Sequence, residues 1–167
     1  HIHGADHALT VIIGGGFVGK TAAITAGGMG GDVVILDINP KAVKRLKHEL
    51  RNHFGRKLFH NVKVFVSNQT LLRKWVKRAD LLIGAVLIPG TRTPIVVDEK
   101  MVKSMKKGAV IVDVSIDQGG CIWGSRPTTH RHPIYDLDGK IFCCITNMPG
   151  QVARQSTQAL TSVTLPY

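Results

Sequence analysis

The stretch that decides the fold runs from Thr10 to Asp37 and reads TVIIGGGFVGKTAAITAGGMGGDVVILD. Its apolar, β-branched start, Val11-Ile12-Ile13, is typical of a buried strand. A small-residue segment over 17–29 predicts a helix, and a second strand over 33–36 ends on Asp37. Between the first strand and the helix stand three glycines in G-x-G-x-x-G spacing: Gly14, Gly16 and Gly19.

Each of these glycines has a physical role in binding a dinucleotide. Gly14 allows the tight turn, Gly16 lets the backbone approach a pyrophosphate, and Gly19 allows the helix to pack closely on the strand. The first helical turn, which contains Phe17 and Val18, directs N–H groups and partial positive charge toward the phosphates. A strand, turn and helix that bind no ligand remain the alternative interpretation of the glycines alone.

The acid at the end of the second strand indicates which cofactor is preferred. A carboxylate there accepts hydrogen bonds from the ribose 2′-OH and repels a 2′-phosphate, so Asp37 favours NAD over NADP. Lys41, Lys44 and Arg45 follow closely and would soften that preference.

Strand-like runs alternate with helix-like segments along the rest of the chain. We predict further strands over 62–66, 81–85, 109–114 and 141–145, and helices from Pro40, around 71–76, over 98–105 and over 152–165. Segment 52–61 is interpreted as a polar connection, 121–140 as turns, and 147–150 as a turn. The alternation predicts an α/β fold, a Rossmann-type doubly wound parallel sheet in a single domain over 1–167. Residues 1–9 are expected to be flexible.

Right-handed crossovers bring the carboxyl ends of the first, fourth and fifth strands around one crevice. Val86 and Leu87 follow the fourth strand in an apolar loop that either lines this crevice or plugs the core. Asp117 lies just past the fifth strand, where it could orient a nicotinamide, bind an amine or assist proton transfer. A turn-capping aspartate is the alternative role. Asp113, within the apolar strand, is interpreted as a buried structural acid.

The net charge of +11 is concentrated in one part of the chain. Segment 41–78 holds twelve Lys or Arg and one acid, Glu49, so all of the excess lies there. Such a segment either binds an anionic partner or forms solvated helix faces. Because it carries no nucleic-acid motif, we favour solvated faces and expect no nucleic-acid partner.

Three cysteines, two of them adjacent, do not form a disulfide framework, so a reducing compartment is expected. The chain has no run of 18 apolar residues, and its first ten residues lack the apolar core of a signal peptide. A cytoplasmic protein without a membrane segment is therefore expected. The eight histidines show no metal-ligand spacing, and no metal is predicted.

Several longer runs carry a family resemblance. The runs are Val11–Gly19, LDIN at 36–39, GAVLIPG at 84–90, VDVSIDQGGC at 112–121, RPTTH at 126–130 and NMPG at 147–150. Together they resemble the NAD-binding domain of bacterial alanine dehydrogenases and, less closely, that of proton-translocating nicotinamide nucleotide transhydrogenases. The likeness spans nearly the whole chain.

The resemblance implies NAD-dependent oxidative deamination of L-alanine to pyruvate and ammonia. Asp37 would hold the adenosine ribose, Ser67 would lie near the adenine, and Val86, Leu87 and Val114 would line the cofactor cleft. Asp117 would be the catalytic aspartate near substrate and nicotinamide. Asn147 and Met148 would lie nearby.

The resemblance also implies a divided active site. In the family, the groups that hold the substrate carboxylate and the catalytic histidine belong to another domain, which is missing here. Segment 151–167 resembles the connector helix that returns to it, and segment 51–61 looks longer than is usual. Since hydride transfer needs both reactants held in place, we expect NAD(H) binding but little turnover by this chain alone. The full-length enzyme would be a homo-oligomer that takes a small amino-acid or keto-acid substrate.

Two other hypotheses belong to different classes. One is a stand-alone NAD-binding module, or a transhydrogenase-type NAD(H) domain, without turnover of its own. A weaker one is an anion-binding protein that uses the basic face of segment 41–78.

Overall fold

Seven strands and five α-helices alternate along the chain in the computed structural model, which describes residues 7–165 apart from the side chains of 56–59. The strands are β1 Leu9–Ile13, β2 Asp32–Asp37, β3 Val62–Val66, β4 Leu81–Gly84, β5 Val110–Asp113, β6 Ile134–Leu137 and β7 Lys140–Cys143. The α-helices are α1 Phe17–Gly28, α2 Pro40–Leu58, α3 Gln69–Val76, α4 Glu99–Lys103 and α5 Ala153–Thr164. Three short 3₁₀ helices cover Phe59–Asn61, Val114–Gln118 and Met148–Val152.

One sheet contains all these strands in the order β3-β2-β1-β4-β5-β7-β6, and every pairing except β6–β7 is parallel. The order reverses between β1 and β4, which is the switch point at which doubly wound sheets bind their ligands. The predicted Rossmann-type α/β fold is confirmed. No helix among residues 7–165 is long and apolar enough to cross a membrane.

Alternation along the strands divides the core between the two faces of the sheet. Ile12, Val33 and Ile35 are fully buried against α1 and α2. Val11, Leu82 and Ile111 are equally buried on the opposite face, beneath α3 and α4. Consecutive strand residues point to opposite faces of the sheet. Since neighbouring residues of β1 and β2 are all buried, helices cover both faces of these two strands.

The α1 face is covered over only half of the sheet. On β4, β5 and β7 the side chains that share this face are only half-buried: Leu81, Ile83, Val110, Val112, Ile141 and Cys143. Helix α5 buries none of its residues, and Leu160 and Val163 are 65% exposed. This part of the chain therefore leaves apolar surface uncovered.

Two predicted connections are wrong. Segment 121–140 contains β6, which pairs antiparallel with β7 through a turn in which Asp138 and Gly139 both have positive φ (54° and 71°). Those angles define a type I′ hairpin, for which Asp-Gly is a preferred sequence. Segment 52–61 is helical through Leu58 rather than a polar connection, with a break at Gly55 (φ 66°, ψ 178°).

The observed start of helix α4 agrees with the start predicted from the sequence. The Asp98 side chain accepts a hydrogen bond from the Met101 N–H at 2.8 Å, as predicted for the cap of α4. Of the segment predicted to be flexible, residues 1–6 lie outside the described residues, and Leu9 begins β1 with its N–H donating to Asp80 Oδ2 at 2.9 Å.

Candidate cofactor-binding site

The turn between β1 and α1 contains two glycines, Gly14 and Gly19, that no larger residue could replace. Gly14 has a φ of 102°, and a Cβ placed on it would overlap the Ala85 carbonyl oxygen. A Cβ on Gly19 would overlap the Gly14 carbonyl oxygen, so α1 packs directly on the turn. Gly16 is the N-cap of α1, and a Cβ on it would find no atom within 4 Å. The close packing and the open space match the roles predicted for these glycines.

Asp37 closes one side of this turn. Its Oδ2 accepts a hydrogen bond from the Gly15 N–H at 2.7 Å, and its Oδ1 accepts one from the Asn39 N–H at 2.8 Å. The Ser67 N–H donates to the Asp37 carbonyl oxygen at 2.8 Å, which places Ser67 beside the acid. Asp37 is half-buried. A carboxylate has about four lone-pair sites, so it retains sites for a hydroxyl group.

A mostly apolar cleft of about 180 Å³ lies at the switch point of the sheet. It is lined by Val18, Ala85, Val86, Leu87, Val114, Ser115, Asp117 and Gln118. Val18, Val86, Leu87, Val114 and Asp117 are among the predicted site residues, so the structure brings five of them together. The cleft is smaller than the roughly 300–1,000 Å³ typical of small-molecule sites. It can therefore enclose one ring-sized end of a dinucleotide, with the rest lying over the glycine turn and Asp37.

Asp117 stands at the exposed edge of this cleft, on the 3₁₀ helix that follows β5. The Asn147 N–H reaches its two carboxylate oxygens at 3.2 and 3.4 Å. Asn147 is held in a left-handed conformation (φ 50°, ψ 53°), and Met148 begins the next 3₁₀ helix. The structure thus places the predicted neighbour Asn147 beside Asp117, and Met148 follows it in the chain. Within the described residues, Asp117 forms no ion pair.

The loop that carries Asp117 is organised by a buried acid. Asp113 is fully buried and accepts five hydrogen bonds. Four come from the N–H groups of Ser115, Cys121 and Ile122 and from the Ser125 hydroxyl, at 2.8–3.1 Å, and the fifth from the Cys121 thiol at 3.6 Å. These bonds close the segment from 115 to 125 into one unit. The burial expected of Asp113 is confirmed, and its contacts are those of a structural residue.

Cys121 does not have the properties of a nucleophile. Burial, reinforced by the nearby Asp113 charge, raises the pKa of the Cys121 thiol to about 12. A thiol with that pKa is protonated at neutral pH and reacts slowly. No cluster of three or more His, Cys, Asp or Glu that could hold a metal occurs within residues 7–165.

Four residues of the site are not among the predicted cofactor-binding residues, although three of them lie in segments 14–19 and 115–120, which were expected at the crevice. Gly15 supplies an N–H to Asp37, and a Cβ on it would lie 2.9 Å from Leu46 Cδ2. Ala85 and Gln118 line the cleft, and the Ser115 hydroxyl donates to the Val86 carbonyl oxygen at 2.8 Å. The G-x-G-x-x-G pattern ignores its second position, and the contacts of the other three are found only once β4 and β5 are paired.

Fold and site together define a Rossmann-type dinucleotide-binding domain. The glycine turn leaves room at Gly16 for a phosphate, and an acid ends β2 beside it. These residues therefore fit a nicotinamide dinucleotide.

Comparison with known proteins identifies the family. The model of "Alanine dehydrogenase/PNT, C-terminal domain" matches residues 1–167. A curated alanine dehydrogenase of Methanococcus maripaludis is 51% identical over 167 aligned positions, and the match covers 99% of this chain and 43% of that protein. One of Bacillus subtilis is 46% identical over 99% of this chain and 42% of its own length. The chain belongs to the alanine dehydrogenase/PNT C-terminal domain family and spans about 43% of the length of these relatives.

Solved structures agree with this assignment. An L-alanine dehydrogenase superposes with a TM-score of 0.84 at 44% identity, covering 96% of this chain and 42% of that one. A transhydrogenase from Sinorhizobium meliloti gives 0.76 at 25% identity, covering 92% and 41%. The predicted resemblance is confirmed, and the alanine dehydrogenases are the nearer of the two groups. The predicted class, an NAD-dependent dehydrogenase family, is confirmed with the family.

Proposed function

We propose that this chain is the NAD(H)-binding domain of an L-alanine dehydrogenase. The complete enzyme would convert L-alanine, NAD⁺ and water to pyruvate, ammonium, NADH and a proton. The observation that carries the proposal is the convergence of Val18, Val86 and Asp117 on one cleft at the switch point of the sheet. The family membership supports the same conclusion.

The proposed binding mode follows the geometry of the turn. The N-terminal turn of α1 would hold the pyrophosphate over Gly16, since backbone N–H groups and the helix dipole favour anions there. Asp37 would accept the hydroxyl groups of the adenosine ribose, with Ser67 near the adenine. Val86, Leu87 and Val114 would enclose the nicotinamide end, whose ring accepts hydride when the cofactor is bound.

Asp117 is the candidate catalytic residue of this chain. Its carboxylate is exposed at the edge of the cleft and is held in place by Asn147, so it can meet a substrate amine or a water molecule there. An acceptor at this position would stabilise an ammonium group or take up a proton released during oxidation.

The uncovered apolar surfaces support a divided active site. The side chains on half of the α1 face of the sheet are only half-buried, and α5 buries none of its residues. We therefore propose that a substrate-binding domain, present in the remaining length of the relatives, covers these surfaces and completes the site. The substrate would be a small amino acid or keto acid, the assembled enzyme a homo-oligomer, and its location the cytoplasm, where its three free cysteines stay reduced.

The first experiment is a titration of this chain with NADH. We expect saturable binding with a Kd below about 1 mM and little alanine-dependent reduction of NAD⁺. Asp37→Ala should weaken binding, whereas Asp32→Ala removes the same charge from the opposite end of β2 and is the matched control. No saturable binding at millimolar NADH would contradict the proposal.

The second experiment supplies the missing part. This chain replaces the corresponding 167 residues of the Methanococcus maripaludis relative, to which it is 51% identical. We expect the chimera to oxidise L-alanine, and Asp117→Asn in it to lower kcat by about 10²–10⁴ while NADH affinity stays within about twofold. A chimera that binds NADH but leaves alanine unchanged would favour a non-catalytic module. The transhydrogenase-type alternative is less favoured, because the structural match is at 25% rather than 44% identity.

A further inference from the structure

A second, larger cleft lies at the opposite end of the sheet from the cofactor site. Its volume is about 920 Å³, and it is bordered by the residues that begin β1 and β2 and by the end of α3. Asp32, Lys63, Trp75, Arg78, Asp80 and Lys106 supply the side chains that matter here. Strands of five or six residues, at about 3.3 Å per residue, separate this cleft from the glycine turn. A ligand in it would therefore not touch the cofactor.

The charges of the cleft favour an anion. Lys106 Nζ lies 2.6 Å from Asp80 Oδ1, so these two groups neutralise each other. Lys63 and Arg78 then face a single remaining acid, Asp32. The cleft contains three bases, Lys63, Arg78 and Lys106, against two acids, Asp32 and Asp80. A surplus of positive charge in a concave surface attracts anions.

Trp75 provides an unusual wall. The side chain is only 8% exposed, stacks on Phe65 with ring centroids 5.9 Å apart, and carries the Arg78 guanidinium 5.2 Å from its ring centroid. Its Nε1 is buried and has no hydrogen-bond partner among the described residues. A buried donor without a partner is destabilising. An indole N–H can be satisfied only by an acceptor, and within residues 7–165 the lining of the cleft includes two unpaired cations, Lys63 and Arg78, against one unpaired acid, Asp32.

We propose that this cleft binds a small oxyanion, a carboxylate or phosphate group of a metabolite, between Lys63 and Arg78 against Trp75. The anion pairs with the guanidinium, which offers a planar fork suited to carboxylate and phosphate. The guanidinium lies 5.2 Å from the Trp75 ring centroid, so an anion that pairs with Arg78 approaches the indole. Binding therefore changes the environment of Trp75, and its fluorescence reports on the site.

The chain offers a matched pair of variants for the test. Lys74 Nζ also lies over Trp75, 5.3 Å from its ring centroid, but Lys74 does not line the cleft, whereas Arg78 does. Arg78→Gln and Lys74→Gln remove the same charge from the same indole. Trp123→Phe leaves Trp75 as the only tryptophan of the chain, so the fluorescence comes from this residue. Calorimetry on the unmodified chain gives an independent measurement of anion binding.

The probes are inorganic phosphate and succinate, titrated at about 0.15 M salt to screen general attraction. We expect saturable binding of at least one probe, weakened about tenfold or more by Arg78→Gln and by Lys63→Gln and less than twofold by Lys74→Gln; which probe binds identifies the anion. Equal weakening in Arg78→Gln and Lys74→Gln, or no saturable binding of either probe, would overturn the proposal. NADH binding should be unchanged in all three variants, which shows that they are folded and separates this test from that of the cofactor site.

Discussion

Asp113 allows the sharpest prediction about how the cofactor site is held together. In Asp113→Asn one oxygen becomes an NH₂ group. The best orientation keeps the amide oxygen where Oδ2 accepts from Cys121, Ile122 and Ser125, and turns the NH₂ toward the Ser115 N–H, which is 3.1 Å from Oδ1. The Ser115 N–H is then left without its acceptor in a fully buried position, and the NH₂ group has only the Cys121 sulfur, a weak acceptor that lies 3.6 Å from Oδ1, as another neighbour.

The magnitude follows from that arrangement. An unsatisfied buried donor costs about 1–3 kcal/mol, and the three remaining bonds weaken because a neutral acceptor replaces a charged one. The smaller desolvation cost of a neutral group offsets part of this loss. We expect the free energy of unfolding to fall by about 3 kcal/mol, a large share of the roughly 5–15 kcal/mol of a typical domain.

Urea unfolding followed by circular dichroism measures this change, and Asp136→Asn is the control. Asp136 is an exposed acid on β6 that accepts one hydrogen bond, from the Gly139 N–H, which an amide oxygen can also accept. Its substitution should stay within about 0.5 kcal/mol. NADH affinity should fall with Asp113→Asn, because Asp117 and the cleft-lining Ser115 lie on the loop that Asp113 holds. Equal stability of the two variants would refute the reasoning.

Three further predictions concern the glycine turn, cofactor choice and thiol chemistry. Gly19→Ala places a methyl group on a backbone carbonyl, so calorimetry should show a large loss of stability, whereas a normal melting temperature would contradict the tight packing of α1. Asp37→Ser removes charge-assisted hydrogen bonds worth about 1.5–3 kcal/mol each, so NADH affinity should fall by tenfold or more while NADPH affinity rises; parallel changes in both titrations would count against the assigned role. Burial raises the pKa of the Cys121 thiol to about 12, so Cys121 should resist iodoacetamide at pH 8 while the half-buried Cys143 reacts, as peptide mass spectrometry can show. Above about pH 9 the Cys121 thiol loses its proton in the unfolded chain before it does so in the folded chain. The contribution of this thiol to stability should therefore decline between about pH 9 and pH 12.

The parts of the fold that sequence predicted are those with local causes. The glycine spacing and the acid at Asp37 depend on the backbone within one strand–turn–helix unit, and the structure has that unit where it was expected. The Asp98 cap is likewise a contact between residues three positions apart. Short-range signals of this kind survive in any tertiary context.

The errors arose where a local signal was weak or was interpreted too narrowly. Strand β6 has four residues and alternates between exposed and half-buried positions, so it lacks the apolar run that marks the central strands. The Asp138-Gly139 pair was recognised as a turn, but its preference for a type I′ hairpin was the signal that predicts a strand on each side. Helix α2 continued past Asn52 because Phe54 packs beside Val62 and Gly27, a contact that no local pattern shows.

Other features of the site depend on distant contacts. Asp117 and Asn147 are 30 positions apart in the sequence, and the loop after β4 is fixed by a hydroxyl group 29 positions away. The second, larger cleft, at the opposite end of the sheet from the cofactor site, combines residues from β2, β3 and α3 with Asp80 and Lys106. A charge count along the chain located the basic segment but could not show which of its members share a concave surface.

The two hydrogen bonds that hold the Asp37 side chain bear on how the site would discriminate against NADP in favour of NAD. A carboxylate free to rotate could swing aside and let a 2′-phosphate settle among the neighbouring lysines. Here the side chain is fastened to the Gly15 and Asn39 N–H groups, so rotation would break both bonds and leave the glycine turn without its partner. In the proposed binding mode, selectivity for NAD would depend on the rigidity of the acid as much as on its charge. A 2′-phosphate would meet the Asp37 carboxylate, which could move away only if its hydrogen bond with the Gly15 N–H in the glycine turn were broken.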